Sequence, residues 1–225
     1  MDDTISRRIE HIRRQLPDGV TLVAVSKFHP VEALKEAYGA GQRVFGESHV
    51  QELMAKVGEL PQDVHWHFIG HLQTNKVKYI APFIELIHAV DTFKLLKEID
   101  RQGEKTGRVI DCLMEVHVAE EESKYGFQED ELKMLFQQPE WCDLRHVRVR
   151  GLMCMATFTD NQQQVRQEFG RAKQLFDTLR QEVFNQPGDR FDILSMGMSD
   201  DFPIAVEEGS TMVRVGSGIF GPRQY

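Results

Sequence analysis

The chain has 225 residues, 41% of them hydrophobic and 28% charged, enough to bury the core of one large α/β barrel or of two small domains. Its formal net charge of −8 argues against a nucleic-acid partner, which requires a basic face against phosphates. No apolar run approaches the ~20 residues needed to cross a bilayer, and the start, Met1-Asp2-Asp3-Thr4, does not resemble a signal peptide. Cys112, Cys142 and Cys154 have no close spacing, which fits a reducing cytoplasm and neither a disulfide framework nor a Cys-x-x-Cys metal site.

In chain order, Ile5, Ile9, Ile12 and Leu16 recur at helical spacing over residues 2–16, with Asp2, Asp3 or Thr4 able to cap the start and Pro17-Asp18-Gly19 ending it. An apolar strand, a turn and a helix-like segment then recur eight times. The strands are expected at 21–27, 43–47, 64–69, 84–90, 109–118, 147–155, 191–196 and 211–216. Helices are expected at 31–40, 48–58, about 75–80, 92–106, 129–138, 161–185 and about 201–208, with caps at Thr92 and Asn161 and Gly209 closing the last. Alternating strands and helices imply parallel pairing and right-handed crossovers, and eight such units match a single (β/α)8 TIM barrel over 1–225 with an extra N-terminal helix. An open doubly wound sheet is disfavoured because no Gly-x-Gly-x-x-Gly follows the first strand.

In a barrel, chemistry gathers where strands end. The first strand ends in Lys27, followed by Phe28-His29-Pro30, which breaks it. A lysine in apolar surroundings loses its proton more easily, and a neutral amine is a nucleophile; a lysine reaching past the strand into water is the plainer alternative. The last two strands end in Leu194-Ser195-Met196-Gly197-Met198-Ser199-Asp200-Asp201 and Thr211-Met212-Val213-Arg214-Val215-Gly216-Ser217-Gly218. Loops after strands 7 and 8 are the usual phosphate site of such barrels. Gly216 and Gly218 admit close backbone approach, and Ser199 and Ser217 offer hydroxyls; Ser199 could also cap the helix behind it.

Alternation places Met212, Arg214 and Gly216 on one face, so Arg214 should point into the barrel and pair there, with a ligand or with a carboxylate such as Glu115 or Glu47. A carbonyl for Lys27, a phosphate for the loops and an acceptor for Arg214 together describe pyridoxal 5′-phosphate (PLP).

The order Val23-Ala24-Val25-Ser26-Lys27, Phe45-Gly46-Glu47, Trp66-His67-Phe68-Ile69-Gly70, Leu72-Gln73-Thr74-Asn75-Lys76, Ser123-Lys124-Tyr125-Gly126, Arg150-Gly151-Leu152-Met153, the Ser195–Asp201 run and Arg214-Val215-Gly216 resembles the YggS/PROSC family of pyridoxal phosphate homeostasis proteins over nearly the whole chain. The resemblance implies a fold type III barrel similar to the N-terminal domain of alanine racemase, with a role in vitamin B6 and amino-acid homeostasis. It implies a Schiff base on Lys27, phosphate contacts from Ser199, Gly216 and Ser217, and Arg214 facing the ring nitrogen. Gly197 and Met198 join the candidate set, as does Ser48, which stands where the family commonly has an asparagine near the ring; His71 replaces a frequent proline. PLP-dependent apo-enzymes are possible recipients of the cofactor.

A weak amino-acid racemase is the alternative. Racemases of this pattern take a second base from a separate β domain, and only nine residues follow Gly216 here, so binding without turnover, by a monomer, is the expectation. A Schiff-base aldolase would commonly carry its lysine on strand 6, which ends in Met153-Cys154-Met155. His65 and His67 share a strand face, but no further ligands are spaced to complete a zinc site, so packing and hydrogen bonding are expected of them. Lys76, Lys78 and Lys124 are read as solvated, Lys124 with a possible part in ligand exchange, and Glu120-Glu121-Glu122 as a solvated loop.

Overall fold

The computed structural model describes residues 4–119 and 125–222; the caps Asp2 and Asp3, the acidic run Glu120-Glu121-Glu122 and Lys124 lie outside them. Helix α1 (Ile5–Arg13) is capped by Thr4, whose hydroxyl accepts from the Arg7 N–H. There follow β1 (Thr21–Val25), α2 (Val31–Gly39), β2 (Val44–Glu47), α3 (Val50–Lys56) and β3 (His65–Phe68). A 3₁₀ turn (Thr74–Lys76) leads into α4 (Val77–Ile80), β4 (Leu86–Val90), α5 (Phe93–Thr106) and β5 (Ile110–Glu115). After α6 (Glu129–Phe136) and a second 3₁₀ turn (Pro139–Asp143) come β6 (Val147–Met153), α7 (Gln162–Glu182), β7 (Ile193–Ser195), α8 (Phe202–Glu207), β8 (Met212–Val215) and α9 (Ser217–Phe220). The eight strands pair in parallel and in chain order, and β8 closes on β1.

The sequence overextends most strands because apolar residues continue past the ladder. Val116 is buried beyond the end of β5, where its N–H donates to the Met153 carbonyl at 2.9 Å and it forms an isolated bridge to Phe127. The two 3₁₀ turns and α9 are too short to show a period. Helices sit where the spacing predicts them: on α7, Val165, Phe169, Ala172, Phe176 and Leu179 are buried, and the Asn161 side chain caps the start.

The main core lies between strands and helices, with Phe45, Phe68 and Phe169 fully buried. A smaller apolar layer, Val23, Leu86, Ala89, Leu113, Met153 and Met212, fills the base of the barrel interior. At Gly151 the β5–β6 register shifts, and a Cβ there would lie 1.8 Å from the Ile193 carbonyl oxygen, so strand 6 tolerates only glycine at that point.

The next interior layer is polar. Arg214 donates to Ser195 Oγ at 2.7 Å and to the Cys154 carbonyl at 2.9 Å. Neither carboxylate offered as its alternative partner is the one found: Glu47 bonds Lys56 on the opposite side of β2, and no Glu115 ion pair forms among the described residues. Beyond Ser195, His88 Nδ1 lies 3.1 Å from its Oγ, and His88 Nε2 lies 3.0 Å from His67 Nδ1. Burial lowers the pKa of His67 from 6.5 to about 3, with the neighbouring charge of His65 adding to the shift, and holds His88 well below its ordinary value. Glu115, two residues along β5 from interior Leu113, is pushed from 4.5 up to about 7 by burial and by Asp91, against an opposing pull from Arg214.

These shifts oppose one another in acid. Folded His67 binds fewer protons than the unfolded chain between pH 6.5 and about 3, so it costs stability as pH falls through that window. Folded Glu115 binds more protons between pH 4.5 and about 7, so it costs stability as pH rises there. Between pH 4.5 and 6.5 Glu115 offsets the slope of one of the two buried histidines. Glu115→Gln should therefore lose stability more steeply than wild type as pH drops through that range, by about 1.4 kcal/mol per pH unit. Urea unfolding across a pH series checks this; parallel curves would remove Glu115 as the counterweight.

Candidate cofactor site

Lys27 leaves the sheet two residues beyond the end of β1, and the backbone on either side of it is clamped from behind. Lys56, buried on α3, donates to the Ser26 carbonyl at 2.8 Å, to Glu47 Oε1 at 2.7 Å and to Glu52 Oε1 at 2.6 Å. The Ser26 hydroxyl donates to Glu47 Oε1 at 2.6 Å, and the Phe28 N–H donates to Glu52 Oε1 at 2.6 Å. The carbonyl before Lys27 and the amide after it are thus tied to one buried ion cluster. Phe28 sits at φ 66°, an uncommon conformation for a bulky side chain that this clamp sustains. Burial raises the Glu47 pKa although Lys56 and Ser26 pull it down, and its Oε2 has no hydrogen-bond partner among the described residues.

The loops after β7 and β8 meet opposite. Gly197 has φ +94°, and a Cβ there would come within 2.6 Å of the Ala205 Cβ. Its carbonyl accepts from the Arg214 N–H at 2.9 Å, joining loop to strand. The Met198 N–H donates to Asp201 Oδ1 at 2.5 Å. Ser199 is not the helix cap expected of it: its Oγ accepts from the N–H of Gly216 at 3.3 Å and of Gly218 at 3.2 Å. With two donors already on that oxygen, its own hydrogen remains to donate.

These parts line one cavity of about 260 Å³. Lys27, Ser48, Met198, Ser199, Arg214, Gly216 and Ser217 all border it; Gly197 does not, and acts through its backbone. Sequence reasoning missed His29, Phe158, Asp200 and Gly221, which also border it. They come from separate loops; local signals were carried by Asp200, next to Ser199, and by His29, two residues from Lys27, whose ring stacks on Phe220 with centroids 5.0 Å apart. A neighbouring cavity of about 560 Å³ shares Phe158, Met198 and Asp200 but contains no lysine and gathers Asp160, Asp200 and Asp201, so it does not match an anionic carbonyl compound.

The 260 Å³ cavity combines an amine, hydroxyl and amide donors, and a buried cation. Such a set suits a ligand with a reactive carbonyl at one end and an oxyanion at the other. Arg214 is held on its strand by Ser195 and Cys154, and can only donate. Among the described residues no three His, Cys, Asp or Glu side chains are grouped to hold a metal ion. His65 instead pairs with Glu85 at 2.9 Å, and His71 pairs with Asp91 at 2.8 Å under the stacked ring of Tyr125.

The family model described as alanine racemase, N-terminal domain, matches residues 2–224. The pyridoxal phosphate homeostasis protein of Aquifex aeolicus is 42% identical over 91% of this chain and 87% of its own length. That of Haemophilus influenzae is 39% identical over 92% and 86%. Among solved structures, PipY of Synechococcus elongatus with PLP bound superposes with a TM-score of 0.88 at 38% identity, covering 97% of this chain and all of that one. Alanine racemase from Streptomyces coelicolor, at 17% identity and TM-score 0.73 over 57% of its chain, shares the fold. The chain belongs to the alanine racemase N-terminal domain family and, within it, to the pyridoxal phosphate homeostasis proteins.

Proposed function

We propose that residues 1–225 form one PLP-binding barrel that holds the cofactor as a Schiff base on Lys27 and serves vitamin B6 and amino-acid homeostasis in the cytoplasm. The carrying observation is that Lys27, Arg214, Ser199 and Ser217 border a single cavity although they come from opposite ends of the chain. Relatives named for pyridoxal phosphate homeostasis and the PLP-bound PipY structure support the same reading. When bound, PLP would supply an electrophilic aldehyde and a ring able to take up electrons.

The residues divide the work. Ser199 and Ser217 receive the phosphate, on a loop that Gly197 and Met198 shape and that the Gly216 amide ties to Ser199. Lys27 supplies the amine, held in place by the Lys56 clamp on both flanking peptides. Ser48 borders the ring. Arg214 donates toward the ring nitrogen and, being donor-only, keeps it unprotonated, which weakens the ring as an electron sink. That bias favours holding the cofactor over rapid chemistry on it, and fits a monomeric carrier that passes PLP to PLP-dependent apo-enzymes.

Borohydride reduction of the PLP-loaded protein followed by peptide mass mapping should place the label on Lys27; a label confined to another lysine would overturn the Schiff-base assignment. Arg214→Gln should weaken PLP binding by about 10- to 100-fold, the range for losing a charge-assisted hydrogen bond, and should shift the visible absorption band. Equilibrium dialysis and absorption spectra check this on protein shown by thermal unfolding to be folded. Unchanged affinity and spectrum would remove Arg214 from the site.

A further inference from the structure

The polar layer beneath the cavity has a direction. Arg214 can only donate, and it gives one hydrogen to Ser195 Oγ at 2.7 Å. The Ser195 hydroxyl has one hydrogen of its own, and among the described residues the side-chain group in reach that could take it is His88 Nδ1, at 3.1 Å, a contact whose direction depends on the tautomer. A nitrogen that accepts carries no hydrogen, so neutral His88 bears its proton on Nε2. That Nε2 faces His67 Nδ1 at 3.0 Å, which must then accept, leaving the His67 proton on Nε2 as well. Ser195 and His88 are fully buried, and His67 and Arg214 nearly so, which leaves little water to substitute for a missing partner.

We propose that His88 and His67 are positioning residues for Arg214: the one-way chain Arg214 to Ser195 to His88 to His67 fixes the guanidinium that the cavity presents to its ligand. The chain spans three strands, β8, β7 and β4, and ends on a fourth, β3. It leaves Arg214 two fixed anchors, Ser195 Oγ and the Cys154 carbonyl. Without the His88 acceptor, the Ser195 hydroxyl turns and the guanidinium is held on one side only. The proposal rests on the reading that Arg214 faces the PLP ring, but the tautomers it requires belong to the protein alone.

Two measurements on the full chain test it. Histidine ¹⁵N–¹³C NMR without PLP should show His88 and His67 both neutral and both protonated on Nε2, with assignments from His67→Asn and His88→Asn. A proton on His88 Nδ1 would overturn the proposal whether or not PLP binds. In PLP binding, His88→Leu should speed cofactor dissociation by about tenfold and shift the absorption band, while His88→Gln, which keeps an acceptor for Ser195, should stay within about threefold of wild type. If His88→Leu does not fold, Ser195→Ala breaks the same chain with both rings in place and should show the same acceleration. Leu and Gln variants that dissociate alike, or a Ser195→Ala protein that holds PLP as wild type does, would show that the rings only pack. A wild-type protein that takes up no PLP would sink the proposed function and leave the tautomer result standing.

Discussion

A permanent positive charge in the interior of a closed barrel is the constraint around which the other residues of this site are arranged. Arg214 is buried and loses most of its hydration, which lowers its pKa without neutralising it. Each hydrogen bond to such a charge is worth about 1.5–3 kcal/mol, and leaving it without partners forfeits them while the ion stays buried. The interior therefore cannot be the aliphatic stack that fills many barrels. Aliphatic and sulfur side chains fill the base, from Val23 to Met212, and the layer above turns polar. Neutral partners solve the problem here: a serine hydroxyl and a main-chain carbonyl satisfy the guanidinium without cancelling its charge. A carboxylate in the same place would pair with Arg214 and blunt its pull on any ligand. Glu115 is near enough to feel Arg214, yet burial and Asp91 raise its pKa to about 7, so much of it is uncharged at neutral pH.

A second buried ion cluster sits outside the sheet, and it solves a different problem. The turn after β1 must present a long, flexible lysine at a fixed place. Lys56 and Glu52 grip the Ser26 carbonyl and the Phe28 amide, so the backbone that carries Lys27 is fixed on both sides. The two clusters stay apart because strand alternation sends Gly46 inward and Glu47 outward, which keeps the carboxylate of β2 away from the cation of β8.

The barrel was legible in the sequence because parallel strands are buried on both faces and read as apolar runs, while α5 and α7 carry long helical stripes. The inward aim of Arg214 was legible from the period of β8. Its partner was not. The alternation that turned Arg214 inward also turned Glu47 outward, but a sequence cannot say that Ser195 on β7 and His88 on β4 converge across the barrel. Hydrogen bonds between residues 107 positions apart leave no local pattern. The same holds for Phe158 and Gly221 at the cavity, and for Lys56, whose helical position gave no sign that it reaches back to the turn beside Lys27. Ser199 was read as a loop hydroxyl that could also cap α8; its oxygen instead gathers the Gly216 and Gly218 amides, which no local pattern announces.

The racemase fold is shared at 17% identity, so the barrel alone says little about chemistry. Much of this chain's site is ordered before anything binds. The Ser199 hydroxyl is already held by two amides, the guanidinium by a serine and a carbonyl, and the lysine turn by a buried ion cluster. Ordering side chains at the moment of binding costs about 0.5–1.5 kcal/mol for each one immobilised. A site that has met this cost in folding turns more of its contact energy into affinity, and its rigidity lowers ground state and transition state together. Such uniform binding tightens the hold on a ligand without speeding its conversion. A rigid cavity of this kind is biased by its physics toward retaining whatever it binds.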